Sequence, residues 1–252
     1  MNLRQSTGIA LSLTAGLLSL NAFADVHDVI NKQFDFSPTG NIILQNVNGN
    51  VEITSCDCSE VSLRADVKAS DQERRDSVKV QIDASEDRLK IKTKHKKDRS
   101  YNSGYVKVSY TLTVPKSVNL KSIDLVNGDL NIEGVTGKLN ANLVNGEITT
   151  DSHTSDVNVR TVNGAIDVSF KNVSDVQSIE LSSVNGSLEL TLPNNANARI
   201  DAQTVSGSID NDFGIYVKKG KYVGSSMSGE VGSGGASIDL ENVNGSIRVK
   251  SR

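Results

Sequence analysis

Short runs of alternating apolar and polar residues fill the chain beyond residue 40, and a recurring tripeptide separates many of them. Val-Asn-Gly begins at residues 47, 126, 144, 162, 184 and 243. Two further tripeptides resemble degenerate copies, Val205-Ser206-Gly207 and Met227-Ser228-Gly229. From residue 126 onward, the copies begin at 126, 144, 162, 184, 205, 227 and 243. This spacing of 16 to 22 residues predicts a repeat architecture.

Each repeat contains two short alternating runs, one on either side of the tripeptide. Ile166, Val168 and Phe170 alternate with polar residues after one copy, and Val157 and Val159 do so before it. A period of two buries one face of a β-strand and leaves the other face in water. Asn and Gly tolerate a positive φ, so each tripeptide is expected to form a tight corner between two strands.

Two architectures satisfy this pattern. Asn-Gly between alternating runs is a hairpin signal, which leaves an antiparallel sandwich or meander open. A repeat of 18–22 residues, however, holds two strands and two corners, enough for one turn of a flattened coil. We predict an all-β fold with a β-solenoid over residues 116–252, in which the Asn side chains form a ladder. The corner residues are Asn48, Gly49, Asn127, Gly128, Asn145, Gly146, Asn163, Gly164, Asn185, Gly186, Asn244 and Gly245.

Residues 41–115 carry longer alternating runs that suggest antiparallel hairpins. Val78, Val80 and Ile82 would face Leu89 and Ile91 across a short turn. An open end of a stacked sheet is an exposed edge that favours aggregation. We therefore predict that residues 41–115 form an antiparallel hairpin module capping the solenoid, and that residues 25–40 are an N-terminal linker.

The first 24 residues predict a signal peptide. Arg4 precedes an apolar stretch over residues 9–20, and Ala22-Phe23-Ala24 matches a signal peptidase site, so cleavage is expected before Asp25. The apolar stretch is too short to span a bilayer, and no later run approaches that length. We expect an exported protein without a transmembrane segment in the mature chain. The periplasm is the first expected location, and a secreted or surface-associated protein is the alternative.

The composition limits which ligands, metals and catalytic groups the protein is expected to use. A net charge of −3 gives no general attraction to nucleic acid. Cys56 and Cys58 are a disulfide or redox pair or are incidental, since a metal site would need more ligands nearby. His153 is expected in a solvated turn beside Asp151 and Asp156. We predict no metal, cofactor or catalytic residue.

A basic run follows the second predicted strand of one hairpin. Its alternate lysines line one strand face, which either protects a sheet edge from aggregation or binds anionic envelope polymers or lipid headgroups. The run consists of Lys90, Lys92, Lys94, Lys96, Lys97 and Arg99.

The order of these elements resembles a known family. An early Val47-Asn48-Gly49 is followed by Asn50 to Ile53, a charged hairpin region, a long strand closing at Pro115, and the tandem repeats. Over residues 41–252 this is similar to the bacterial family of unknown function called "putative adhesin", which is related to auto-transporter-type adhesin head domains. The resemblance implies a β-strand-repeat fold and no catalytic residues.

We predict a non-catalytic, exported scaffold or adhesin-like protein that binds an envelope protein or a glycan. One alternative is a β-helix enzyme acting on polysaccharide through recurring carboxylates such as Asp201 and Asp239. Another is an envelope-stress sensor or regulator. Sugar sites favour exposed aromatic side chains, and the sequence offers few: Phe170 in the regular repeats, and Phe213, Tyr216 and Tyr222 in an irregular one.

Overall fold

The computed structural model describes residues 25–96 and 104–252. The predicted signal peptide, Lys97 and Arg99 lie outside the described residues. Within them the chain forms 21 strands in two sheets and one short helix, α1 (Gln72–Asp76), which confirms the all-β prediction.

The first sheet contains ten of these strands. In their order across the sheet they are β1 (Val26–Asp35), β4 (Glu60–Ala69), β7 (Val106–Pro115), β3 (Val51–Cys56), β9 (Leu130–Glu133), β11 (Ile148–His153), β13 (Ile166–Phe170), β15 (Leu188–Leu192), β21 (Ile247–Ser251) and β17 (Ile209–Asn211).

The second sheet contains the other eleven. In their order across the sheet they are β18 (Val217–Lys219), β19 (Ser225–Val231), β16 (Ala198–Ser206), β20 (Ala236–Asn244), β14 (Ser178–Asn185), β12 (Val157–Asn163), β10 (Leu139–Asn145), β8 (Asn119–Asn127), β2 (Asn41–Asn48), β6 (Arg88–His95) and β5 (Val78–Ser85).

Each Val-Asn-Gly corner carries the chain from the second sheet to the first. Strand β10 ends at Asn145, and β11 begins at Ile148 in the other sheet. We call such a pair of strands, joined by one corner, a rung. Neighbouring rungs pair in parallel: β10 with β8 and β12, and β11 with β9 and β13. A hairpin joins antiparallel strands of one sheet, so these corners are not hairpin tips.

The inward side chains of the two sheets form one continuous core. In-register neighbours such as Leu139, Val157 and Ile179 are almost completely buried. Because each rung contributes only a few apolar side chains, it depends on the rungs on either side to shield those side chains from water.

The corners stack directly on one another. Asn127 Nδ2 donates to Asn48 Oδ1 at 2.8 Å, and the same bond repeats from each asparagine to the one before it in the stack. These further bonds of 2.8–2.9 Å run through Asn145, Asn163, Asn185 and Asn244. The glycines permit the close approach of the rungs: a Cβ on Gly146 would lie 2.1 Å from the carbonyl oxygen of Gly128.

The order of the rungs in space differs from their order in the sequence. The last rung, β20–β21, lies between β14–β15 and β16–β17. The copy at residues 227–229 is not a corner, contrary to the sequence interpretation. Met227 is buried within β19, which pairs antiparallel with β16, and Gly229 makes room there for the side chain of Ile215.

The N-terminal end of the stack also differs from expectation. The linker predicted for residues 25–40 contains β1, which pairs antiparallel with β4 along its whole length. Strands β2 and β3, assigned to the hairpin module, form a rung that pairs in parallel with β8 and β9. Antiparallel pairing begins only beyond that rung, in β5–β6 and in β1–β4–β7.

Candidate functional site

The outer face of the second sheet carries a row of exposed valines. Each is the first residue of a corner, and parallel in-register pairing places one valine beside the next. Their exposed fractions range from 39% to 57%, so the row is an apolar stripe on a polar face. The valine row consists of Val126, Val144, Val162, Val184, Val243 and Val205.

One end of this outer face is hollowed into a groove. Outward side chains of β14, β20 and β16 form its floor, and the hairpin of β18 and β19 forms one wall. Two adjoining cavities, of about 420 and 440 Å³, make up the groove. They share four polar lining residues, Gln203, Lys218, Ser226 and Glu241.

The chemistry of the groove changes along its length. Three members of the valine row, Val184, Val205 and Val243, line the cavity at one end. Two rows of polar side chains then cross the strands. One runs from Glu241 through Gln203 and Ser226 to Lys218, and the next runs from Asp239 through Asp201 and Ser228 toward Tyr216.

The groove has an excess of negative charge. Asp201, Asp239 and Glu241 line it together with one cation, Lys218. Gln203 Nε2 donates to the Glu241 carboxylate at 3.0 Å, and Arg199 Nε donates to Asp201 at 3.3 Å. Tyr216 stands at the acidic end with 82% of its surface exposed.

The basic run lies at the opposite end of the same outer face. Lys90, Lys92 and Lys94 project outward from β6 and line a shallow cavity of about 440 Å³. Strand β5 places Lys79 in register with Lys94, and Asp83 in register with Lys90. Lys96 is exposed just beyond β6. Strand β6 pairs with β2 on one side and with β5 on the other, so these lysines do not lie on the edge strand of the sheet. The role of the basic run as an anion patch stays a prediction.

Cys56 and Cys58 are joined in a disulfide at the end of β3, with their Cα atoms 5.3 Å apart. Both residues are partly buried, and the Sγ of Cys56 also lies 3.4 Å from the carbonyl oxygen of Val114. A redox role for the pair stays a prediction.

The expectation of a solvated turn at His153 is wrong. An irregularity in the pairing of β11 with β13 follows Thr150, Ser152 adopts a φ of 61°, and the His153 ring turns fully into the core. Neither ring nitrogen is in hydrogen-bond geometry, and the ring centroid lies 6.0 Å from that of Phe170. Burial lowers the pKa of His153 to about 4, outweighing the nearby Asp151 carboxylate, which acts in the opposite direction.

Within residues 25–96 and 104–252, no three histidine, cysteine or carboxylate side chains are grouped to hold a metal ion. The described part of the chain also lacks a helix of the length and apolar character needed to cross a membrane.

The family comparison confirms the resemblance described above. The family model of Toastrack DUF4097 matches residues 9–250 of the chain. The chain belongs to this family. No curated protein matches this Toastrack chain.

Two solved structures are similar to this Toastrack chain. A "putative cell adhesion protein" from Clostridium sporogenes ATCC 15579 is 13% identical and aligns with a TM-score of 0.54, covering 91% of this chain and 100% of that one. A "putative adhesin" from Bacteroides fragilis NCTC 9343 is 16% identical over 89% of this chain and 97% of that one, with a TM-score of 0.43. The first of these similarities supports the fold alone.

Proposed function

We propose that this Toastrack protein is an exported, non-catalytic β-solenoid that binds a component of the cell envelope through the outer face of its second sheet. The observation that carries the proposal is the combination, on that one face, of the exposed valine row and the groove at its end. Three features support the solenoid. Successive rungs pair in parallel, their corners stack with an asparagine ladder, and the chain alternates between two sheets. Repeat surfaces of this kind bind through extended faces.

The lining of the groove favours binding over reaction. Its polar groups are hydroxyls, two amides, carboxylates and an ammonium, and no histidine or cysteine lines either cavity. Two of the carboxylates already accept hydrogen bonds from neighbouring side chains, Asp201 from Arg199 and Glu241 from Gln203. These contacts orient the carboxylates for recognition, because a side chain held by its neighbours loses less freedom when a ligand arrives.

Export is supported by the predicted signal peptide, and we place the protein in the periplasm or on the cell surface. Its partner there is an envelope protein or a glycan. The Lys90, Lys92 and Lys94 face would add a contact to anionic polymers or headgroups at the other end of the stack.

Retention by envelope material tests the proposed function. The mature chain, beginning at Asp25, is incubated with cell-envelope fractions, and we expect it to sediment with at least one of them. A matched protein with the valine row changed at Val144, Val162 and Val184 to Thr keeps the strand-forming shape and should be retained less. Equal retention of both proteins, or none of either, would contradict the proposal. A parallel screen for glycan cleavage addresses the enzyme alternative.

The basic face requires its own test. A variant with Lys90, Lys92 and Lys94 changed to Gln keeps the outward side chains but removes three charges. If the face binds lipopolysaccharide or peptidoglycan, retention by those polymers should fall in the variant and should fall with added salt in the parent. Salt-insensitive retention that is the same in both proteins would contradict the binding of anionic polymers by this face.

A further inference from the structure

We infer that the groove between the β18–β19 hairpin and the floor of β14, β20 and β16 binds a sugar chain that carries free amino groups. This inference rests on the proposed function and deepens it by naming the site and the class of ligand. The shape of the groove, its exposed aromatic ring and its charge support this class of ligand.

The floor of the groove presents matched polar groups at a regular spacing. Asp239 and Asp201 are in-register partners on β20 and β16, as are Glu241 and Gln203. Neighbouring strands lie about 4.8 Å apart, so each pair offers two planar polar groups side by side. Such carboxylates accept hydrogen bonds from adjacent hydroxyl or amino substituents of a sugar ring, and the amide can both accept and donate them.

Tyr216 supplies an unpartnered aromatic surface at the acidic end of the floor. It is 82% exposed, an unusual position for a large ring that buries readily elsewhere. Its place on the wall of the cavity that Asp201 and Asp239 also line suits stacking against the C–H face of a pyranose whose polar edge reaches the floor. The ring would then fix the orientation of the sugar while the carboxylates read its substituents.

The charge of the groove selects among sugar chains. Asp201, Asp239 and Glu241 outnumber Lys218 and the Arg199 guanidinium that pairs with Asp201, so an anionic polymer would be repelled and an ammonium group attracted. Asp239 accepts only a long hydrogen bond, of 3.5 Å, from Ser237, and its carboxylate therefore keeps acceptor capacity for a ligand. A glycan with free amino groups offers hydroxyl groups to the polar pairs on the floor and positive charge to the carboxylates.

A peptide fits this site less well. The floor is the face of a sheet whose strands β14, β20 and β16 are paired on both sides, so their backbone groups are already hydrogen-bonded. Extended peptides bind sheets chiefly by pairing with a free strand edge. The groove offers side chains instead, which suits a ligand that carries its hydrogen-bonding groups on its substituents.

Titration calorimetry on the mature chain tests the inference. The probes are a glucosamine oligomer, an N-acetylglucosamine oligomer of the same length, a galacturonic acid oligomer and oligolysine. We expect the glucosamine oligomer to bind best and the galacturonic acid oligomer not to bind. Tyr216→Ala should weaken glucosamine-oligomer binding about tenfold, the effect of removing an aromatic anchor. The double variant Asp201→Asn and Asp239→Asn should abolish the preference over the N-acetylated oligomer.

Tyr222→Ala is the matched control, since Tyr222 is 86% exposed on the same hairpin but lines neither cavity, and it should bind as the parent does. Glucosamine-oligomer binding that Tyr216→Ala leaves unchanged would overturn the inference, as would oligolysine binding at least as tightly. If envelope fractions retain the parent and Tyr216→Ala equally while no sugar oligomer binds, the groove is not the site, although the proposed function stands.

Discussion

Gly146 occupies a position where any side chain would meet the backbone of the neighbouring rung. Its φ is 145°, and a Cβ would lie 2.1 Å from the Gly128 carbonyl oxygen. We expect Gly146→Ala to lower the free energy of unfolding by about 3 kcal/mol or more, because backbone strain and a backbone clash combine. The midpoint of urea unfolding, followed by circular dichroism, measures the loss.

Gly214→Ala separates the two causes. Gly214 has a φ of 71°, but a Cβ there would have no heavy atom within 4 Å. Its cost should be about 1 kcal/mol, the strain of a left-handed residue alone. Equal losses at the two positions would show that stacking of the corners does not demand glycine.

The buried His153 makes the free energy of unfolding depend on pH. Its folded pKa of about 4 lies below the ordinary value of 6.5, so the unfolded chain binds the proton more readily. The stabilisation is complete above about pH 6.5 and is lost as the pH falls toward 4, by about 3 kcal/mol in all. His153→Leu should remove this loss. His27→Gln removes only an exposed pairing with Asp66 and should retain it, and unfolding curves between pH 7 and pH 4 compare the three proteins.

At the scale of elements, the asparagine ladder ties the rungs together at one edge. Asn145 donates to Asn127 and accepts from Asn163, whereas Asn48 at the end of the ladder takes part in one such bond. We expect Asn145→Ala to cost about 1–2 kcal/mol and Asn48→Ala about half as much. Thermal unfolding measures both, and a loss at Asn48 as large as that at Asn145 would mean that the ladder bonds contribute little.

The repeated tripeptide predicts the corners and the buried faces of the strands that flank them, because period two and positive φ are local properties. It does not predict which rungs are neighbours, since the copy at residue 243 has the same sequence as the one at 184. The sequence does not predict strand β1, because only Val26, Ile30 and Phe34 among its residues are partly buried, a pattern too sparse to resemble a strand.

The groove could be predicted only in part. The recurring carboxylates and the exposed tyrosines are visible in the sequence, but Tyr216, Asp201 and Asp239 line one cavity only because β20 lies beside β16 and β18 folds back along β19. The burial of His153 is not predictable from the sequence, because a pairing irregularity, rather than composition, turns its side chain inward.

At the scale of the whole molecule, the last rung is an internal part of the stack. Deleting residues 236–252 removes Ile238, Leu240, Ile247 and Val249, all almost completely buried. At about 1.5–3 kcal/mol for each side chain, the loss is about 6–12 kcal/mol, comparable to the whole stability of a domain. We expect protease digestion of residues 178–235 and loss of a single cooperative melting transition.

Deletion of residues 25–35 is the control, since it removes only the edge strand β1. That protein should keep one transition at a somewhat lower temperature. A 236–252 deletion that melts like the control would mean that the last rung contributes no more than an end piece.

The position of this last rung also constrains how the protein can change in length. Tandem duplication of a gene segment adds a unit beside its parent in the sequence, and such a unit fits the array only where sequence neighbours are also spatial neighbours. The rungs with corners at residues 126, 144, 162 and 184 meet that condition. Longer relatives should therefore gain their additional units there and retain an inserted C-terminal pair of strands.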